Sequence, residues 1–279
     1  MRYGALLVAF LAMTGSPSSG PAPSGIIAFG TGQFVFAVRA NGTAGHALDS
    51  GDFPAFSRDG RRLAFTLNGV WTARADGSGK RHIVPRFAEY VTYTDPTWSP
   101  DGSWLAYIRL DNGHQTAELW LVDRNGKRLH GLSIVHAAES PSWSPDGKWI
   151  AYAGDGGLAE VLADGSGKRL LLHGAIAAPA WSPTGASIAF EEQEGARVAI
   201  RVLELKTHRV RLVDRTAGPL GPLAWSPNGA WLAFAVRKTG AGDGLLELRA
   251  VRVDDGREHT IADTFAQQLD GLTWRSGSS

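Results

Sequence analysis

The chain has 279 residues, with 28 Lys and Arg against 27 Asp and Glu and a formal net charge of +1. Charge so balanced leaves no whole-chain footprint for nucleic acid, and no nucleic-acid partner is expected. Cysteine is absent, which excludes disulfides, a thiol nucleophile and a zinc–thiolate site.

The chain opens with a short positive start, Met1-Arg2, then an apolar run from Tyr3 to Met13, then a small, polar, Pro-rich stretch from Thr14 to Ser24. This is the grammar of a secretory signal peptide. Residues 1–23 are assigned to that leader and a Pro/Ser linker, with cleavage open between Gly15 and Ser24. An uncleaved anchor or a tail is the alternative. The apolar run falls short of the ~20 residues a membrane helix needs, and no second run of membrane length follows. The expected location is periplasmic or secreted.

Ser24-Gly-Ile-Ile-Ala-Phe29 reads as the second strand of a unit that lacks its first. A recurring phrase then sets the organisation. Its first, weaker copy is Phe56-Ser-Arg-Asp-Gly-Arg-Arg-Leu-Ala-Phe65. Trp98-Ser-Pro-Asp-Gly-Ser-Trp-Leu-Ala-Tyr107 and Trp143-Ser-Pro-Asp-Gly-Lys-Trp-Ile-Ala-Tyr152 follow. Trp181-Ser-Pro-Thr-Gly-Ala-Ser-Ile-Ala-Phe190 and Trp225-Ser-Pro-Asn-Gly-Ala-Trp-Leu-Ala-Phe234 come next, and Leu272-Thr-Trp-Arg-Ser-Gly277 ends the series as a fragment. The lead aromatics Phe56, Trp98, Trp143, Trp181, Trp225 and Trp274 lie 42, 45, 38, 44 and 49 residues apart. A period of roughly 40–45 residues holding four short strands is that of a propeller blade.

Each repeat parses into four strands. Strand A carries the lead aromatic, the Ser-Pro-Asp-Gly segment turns the chain, and Leu-Ala-Tyr/Phe forms strand B. Strand C is clearest in Ala117-Glu-Leu-Trp-Leu-Val122, and strand D in Lys168-Arg-Leu-Leu-Leu172. The C–D turns are Asn41-Gly42, Asp76-Gly77, Asn125-Gly126, Asp164-Gly165 and Asp255-Gly256. Both central residues of such a turn are expected at positive φ. In the fifth unit Leu205-Lys-Thr-His208 replaces the glycine turn. The fold class is therefore all-β, a six-bladed β-propeller of four-stranded antiparallel blades over residues 24–276, with a tail at 277–279. The C-terminal strand is expected to pair with the N-terminal blade, which removes open edges.

The Trp-Ser-Pro-Asp-Gly-x-x-Leu-Ala-Phe/Tyr phrase resembles the repeat of TolB-like β-propellers, over about residues 24–276. The same repeat precedes the catalytic domain of many prolyl oligopeptidase-type peptidases. The resemblance implies a propeller that is often extracytoplasmic and often a protein-binding module. It departs from TolB in having only a leader and linker where TolB has an α/β domain. It departs from the peptidases in having no Gly-x-Ser-x-Gly elbow.

The eight histidines show no metal-ligand spacing, and no cofactor is expected. Asp76-Gly-Ser-Gly-Lys80 and Asp164-Gly-Ser-Gly-Lys168 superficially suggest phosphate loops but fall between two strands, and read as hairpin turns. In an antiparallel meander the D–A and B–C connections share one face. On that loop face Asp52, Asp95, Glu139 and Asp270 precede the lead aromatics and are expected to ring the channel mouth. The ring is broken near Ala177 and Gly221. Asp111, Glu118, Asp155, Glu191, Glu192, Glu194 and Asp243 add acid around it, against Arg197, Arg237 and Lys238. The opposite, turn face is expected to be basic. Converging carboxylates attract a cation in the channel or a basic segment; the alternative is that they are solvated or cap local N–H groups.

The long connection from Pro85 to Asp95 adds Phe87, Tyr90 and Tyr93, which either anchor a partner or fold back on the blade. The first functional reading is a non-catalytic scaffold for a protein or peptide. The second is an enzyme, a lyase or hydrolase acting on carbohydrate or peptide, with paired carboxylates in the mouth.

Overall fold

Local hydrogen bonding turns the repeated phrase into a hairpin in every copy. In Ser-Pro-Asp-Gly the Ser99 hydroxyl donates to Asp101 Oδ1 at 2.5 Å and accepts the Trp104 N–H at 2.9 Å. Ser144 and Asp146 repeat this at 2.6 Å, and Ser226 with Asn228 at 2.7 Å. These serines are buried. The phrase is therefore a folding device, and its Asp is occupied by the turn.

A computed structural model describes residues 23–135, 139–154, 156–217, 221–237, 246–264 and 269–277. The first blade contains β1 (Ile26–Gly30), β2 (Phe34–Arg39) and β3 (His46–Ser50). The second has β4 (Asp52–Phe56), β5 (Arg62–Thr66), β6 (Gly69–Arg74) and β7 (Arg81–Pro85). The third has β8 (Val91–Trp98), β9 (Trp104–Asp111), β10 (Thr116–Asp123) and β11 (Leu129–Val135). The fourth has β12 (Glu139–Trp143), β13 (Trp149–Gly154), β14 (Gly157–Leu162) and β15 (Arg169–His173). The fifth has β16 (Ile176–Trp181), β17 (Ser187–Glu194), β18 (Arg197–Glu204) and β19 (Arg209–Ala217). The sixth has β20 (Ala224–Trp225), β21 (Trp231–Arg237), β22 (Leu246–Arg252) and β23 (Glu258–Thr264). The last strand, β24 (Asp270–Arg275), pairs with β1 and completes the first blade in the order β24-β1-β2-β3. The molecule is an all-β, six-bladed propeller of four-stranded antiparallel blades, closed by its two ends.

The core is divided among the blade interfaces. Six hydrophobic clusters each join two neighbouring blades. The lead aromatics sit in them: Trp143 of blade four packs with Ile108 and Leu119 of blade three, and Trp274 with Ala233 and Leu248 of blade six. Trp143 Nε1 donates to Thr97 O at 3.3 Å, and Trp225 Nε1 to Ala180 O at 2.9 Å, each in the preceding blade. Large rings fill the wedge between twisted sheets.

The C–D turns differ from expectation in one respect. Only the glycine takes positive φ, as at Gly77 (83°) and Gly165 (87°). The preceding Asp stays on the ordinary side, because its carboxylate accepts the N–H two residues on, Ser78 at 2.9 Å and Ser166 at 2.8 Å. Among the described residues no helix is long and apolar enough to cross a membrane.

Candidate functional site

The inner strands of all six blades line one axial cavity of about 420 Å³, through Ala55, Thr97, Ser142, Ala180, Ala224 and Thr273. Asp95 stands at its loop-face end, and Pro100, Pro145, Pro183 and Pro227 of the A–B turns ring the other end. Arg58 occupies the place of that proline in blade two. Its guanidinium crosses the channel to donate to the carbonyls of Pro145 at 3.1 Å and Pro183 at 3.5 Å. Blade five lies opposite blade two in a ring of six, so one arginine bridges the turn-face end.

Four of the residues singled out from sequence lie in the inner strands near the other end: Asp52 in β4, Asp95 in β8, Glu139 in β12 and Asp270 in β24. Asp52 and Asp270 hydrogen-bond through their carboxyls, and burial followed by the Asp270 charge pushes Asp52 up to about 7. Two carboxyls in such contact hold a proton between them. Gly30 lets them meet, since a Cβ there would strike Asp52 Oδ1 and the Asp270 carbonyl. Asp95 is reached from the channel but is otherwise surrounded by protein. Burial, then the charges of Glu139 and Asp270, raise it to about 6 against bonds from Thr94 and the Ser140 N–H.

A fifth acid joins them. Glu191 lies in β17 rather than in a loop, is 6% exposed, and its Oε1 has no hydrogen-bond partner. Burial and the Glu139 charge push it up to about 8. It pairs across the strands with Ala177, the position where the ring looked broken. Directly opposite residues share a face, so strand B supplies the acid that strand A lacks. The hairpin register was the signal that identifies it. Mutual effects tie the five together: Asp270 raises Asp52 and Asp95, and Glu139 raises Asp95 and Glu191. Among the described residues, Asp52, Asp95, Glu139 and Glu191 have no salt-bridge partner.

The outer acids behave differently. Arg109 holds Glu118 at 2.8 Å and Asp111 at 3.5 Å, and Arg201 holds Glu192 at 2.5 Å and also Glu194. These arginines come from the strands themselves, so counting loop residues overstated the acidity of the outer face. On the turn face, Lys80 pairs with Asp49 at 2.6 Å and Arg169 with Glu160 at 2.5 Å, which trims the basic excess. Asp155, Lys238 and Asp243 lie outside the described residues.

The backbone at the mouth is unusual. The third residue before the lead aromatic is left-handed in five blades: Phe53 (φ 49°), Asp95 (51°), Ser140 (48°), Ala178 (48°) and Gly271 (73°). A bulky residue such as Phe53 in that region is a costly outlier. The ladder shifts register across this position in β4, β8, β12 and β16. Pro54, Pro96, Pro141 and Pro179 follow directly, and proline cannot donate to the ladder. Those prolines were the legible sign of a bulge.

The connection between β7 and β8 splits its aromatics. Tyr93 is 5% exposed, packs its ring on Tyr107 and donates to Pro85 O at 3.4 Å. Phe87 and Tyr90 are each 66% exposed. Among the described residues, no group of three His, Cys, Asp or Glu is placed to hold a metal ion.

No family model and no curated protein matches the sequence. Solved structures do share its fold. TolB from Acinetobacter baumannii is similar with a TM-score of 0.78 and 18% identity, over 92% of this chain and 68% of that one. A protein assigned as TolB from Agrobacterium tumefaciens gives 0.70 and 20%, over 90% and 92%. An oligogalacturonate lyase in complex with manganese gives 0.60 and 15%, over 82% and 70%.

Proposed function

We propose that this TolB-like propeller is a non-catalytic scaffold outside the cytoplasm that holds a cationic segment of a protein or peptide at the acidic end of its channel. The convergence of Asp52, Asp95, Glu139, Asp270 and Glu191 on one mouth carries this reading. Like charges crowded in a walled site repel one another and retain protons; an incoming Lys or Arg relieves the repulsion and displaces those protons. A bound metal cation would answer the same field, although no metal-ligating group stands there among the described residues. The leader-like residues 1–23 support a periplasmic or secreted location, and no cofactor is needed.

The test is binding of a capped tetralysine peptide to the full chain and to a variant carrying Asp52→Asn, Asp95→Asn, Glu139→Gln and Asp270→Asn. Asn suits the left-handed Asp95 position, so the variant is expected to fold. Wild-type affinity should weaken at least tenfold from pH 8 to pH 5, as the acids with values of about 6 to 8 take up protons. The variant should bind weakly at both. Equal binding by the two proteins would remove the mouth from the function.

A second reading, an enzyme in the mouth, is favoured by one observation. Glu191 retains its proton to about 8, and a carboxyl raised in this way can serve as a general acid. The lyase fold neighbour is compatible with it. A polyanionic substrate such as an oligogalacturonate would meet repulsion at this mouth, so neutral glycans and peptides are the substrates to assay, with Glu191→Gln as the control.

A further inference from the structure

Six large hydrophobic side chains stand exposed among the described residues, and four of them lie on or beside three connections of the loop face. Phe34 and Leu67 are each 41% exposed, and Phe87 and Tyr90 each 66%. Phe34 borders the β1–β2 connection, Leu67 lies in the β5–β6 connection, and Phe87 and Tyr90 lie in the β7–β8 connection. Those three connections converge on a groove of about 330 Å³ walled by Gln33, Leu67, Arg86 and Tyr93; Phe87 and Tyr90 adjoin its lining residues Arg86 and Val91 in the chain and stand outside the lining itself. The inner end of the groove is Asp52, so it runs into the acidic mouth.

The loop that presents the two aromatics is fastened. Arg86 donates through Nε to Ala88 O at 3.0 Å and through Nη2 to Glu89 O. The Val91 N–H donates to Ala88 O at 3.3 Å, and the Asn112 N–H to Tyr90 O at 3.0 Å. Exposed rings on an ordered backbone are what a binding hot spot needs, because little entropy remains to be lost on docking. Apolar side chains exposed on connections that meet at one groove suit an interaction surface. The charge pattern selects the partner. Glu89 is exposed beside the aromatics, and the mouth acids close the inner end. Arg86 is the groove's own cation; its hydrogen bonds to the Ala88 and Glu89 carbonyls leave its charge in place, so the partner's cation belongs at the Asp52 end.

We propose that this sector docks an extended segment of another protein, laying an apolar side chain against Phe87 and Tyr90 beside the groove and a Lys or Arg in the mouth. The proposal rests on the reading of the mouth as a site for cations, and names what lies next to that cation. The probes are capped peptides in which Leu-Phe is separated from Lys-Lys by zero to three Gly, matched with Ala-Ala-Lys-Lys controls. Titrated into the full chain, the best Leu-Phe peptide should bind at least tenfold more tightly than its control. Phe87→Ser with Tyr90→Ser should abolish that tenfold difference and keep the Lys-dependent binding, while the four-site mouth variant weakens both peptides. No preference for Leu-Phe in the wild type, or a preference that survives the double Ser variant, would overturn the proposal and leave the mouth reading intact. Failure of every Lys peptide to bind would remove both. Self-association of the chain that the double Ser variant abolishes would assign the sector to a second copy and overturn the proposal as well.

Discussion

Glu191 is the residue at which folding and site chemistry oppose each other. Its folded value of about 8 lies above the ordinary 4.5. Between those values the folded chain keeps a proton that the unfolded chain releases. Its effect is therefore absent below about pH 4.5 and destabilises increasingly as pH rises to 8, by about 5 kcal/mol in the limit. Glu191→Gln should exceed the wild type in urea unfolding by no more than about 1 kcal/mol at pH 5 and by roughly 4–5 kcal/mol at pH 9. A gain equal at both pH values would mean that Glu191 does not titrate in this range. The turn carboxylates have the opposite sign. Asp59, Asp101 and Asp146 are held below the ordinary value by Ser57, Ser99 and Ser144, so they favour the fold above that range and lose the effect on acidification.

At the scale of the element, the unit of stability is the A–B hairpin. Its serine both donates to the turn Asp and accepts the first N–H of strand B. Ser99 is 3% exposed, so Ser99→Ala leaves the Trp104 N–H and Asp101 without that partner. The expected cost is about 1–3 kcal/mol, read as a lowered melting temperature. A variant that melts with the wild type would show that water replaces the hydroxyl. Blade five offers an internal comparison. There Ser182 meets Thr184 at 3.0 Å and accepts the Ser187 N–H at 3.2 Å, bonds without a carboxylate, so Ser182→Ala should cost less than Ser99→Ala.

For the whole molecule, closure decides. β24 pairs with β1 from Ile26↔Arg275 to Gly30↔Asp270. Trp274 Nε1 donates to Ser24 O at 2.9 Å, and Thr273 Oγ1 accepts the Phe56 N–H of blade two at 3.1 Å. Removing residues from Asp270 onward takes the inner strand from blade one and opens its interfaces with blades six and two. Cooperative unfolding of the whole domain should shift to lower denaturant, rather than one end fraying; a truncated chain with an unchanged midpoint would refute ring closure. The same ring gives the channel its polarity, with Asp95 at one end and Arg58 across the other.

The sequence by itself determined the blade count, the four-strand parse, the complementary ends and the place of Asp52, Asp95, Glu139 and Asp270 on inner strands. These follow from contacts within one repeat: a Ser, an Asp and a Gly a few residues apart make the turn, and the apolar alternation makes the strands. Only the tertiary structure decided what that ring of acids contains and what faces it. Glu191 joins through cross-strand pairing with Ala177, Arg58 reaches blades four and five, and arginines within the blades neutralise Glu118, Glu192 and Glu194. Of the three loop aromatics, packing against Tyr107 buries Tyr93 and leaves Phe87 and Tyr90 outside. Each of these depends on residues that are distant in the chain or on a neighbouring strand, and a carboxylate's charge is set by what the closed ring places around it.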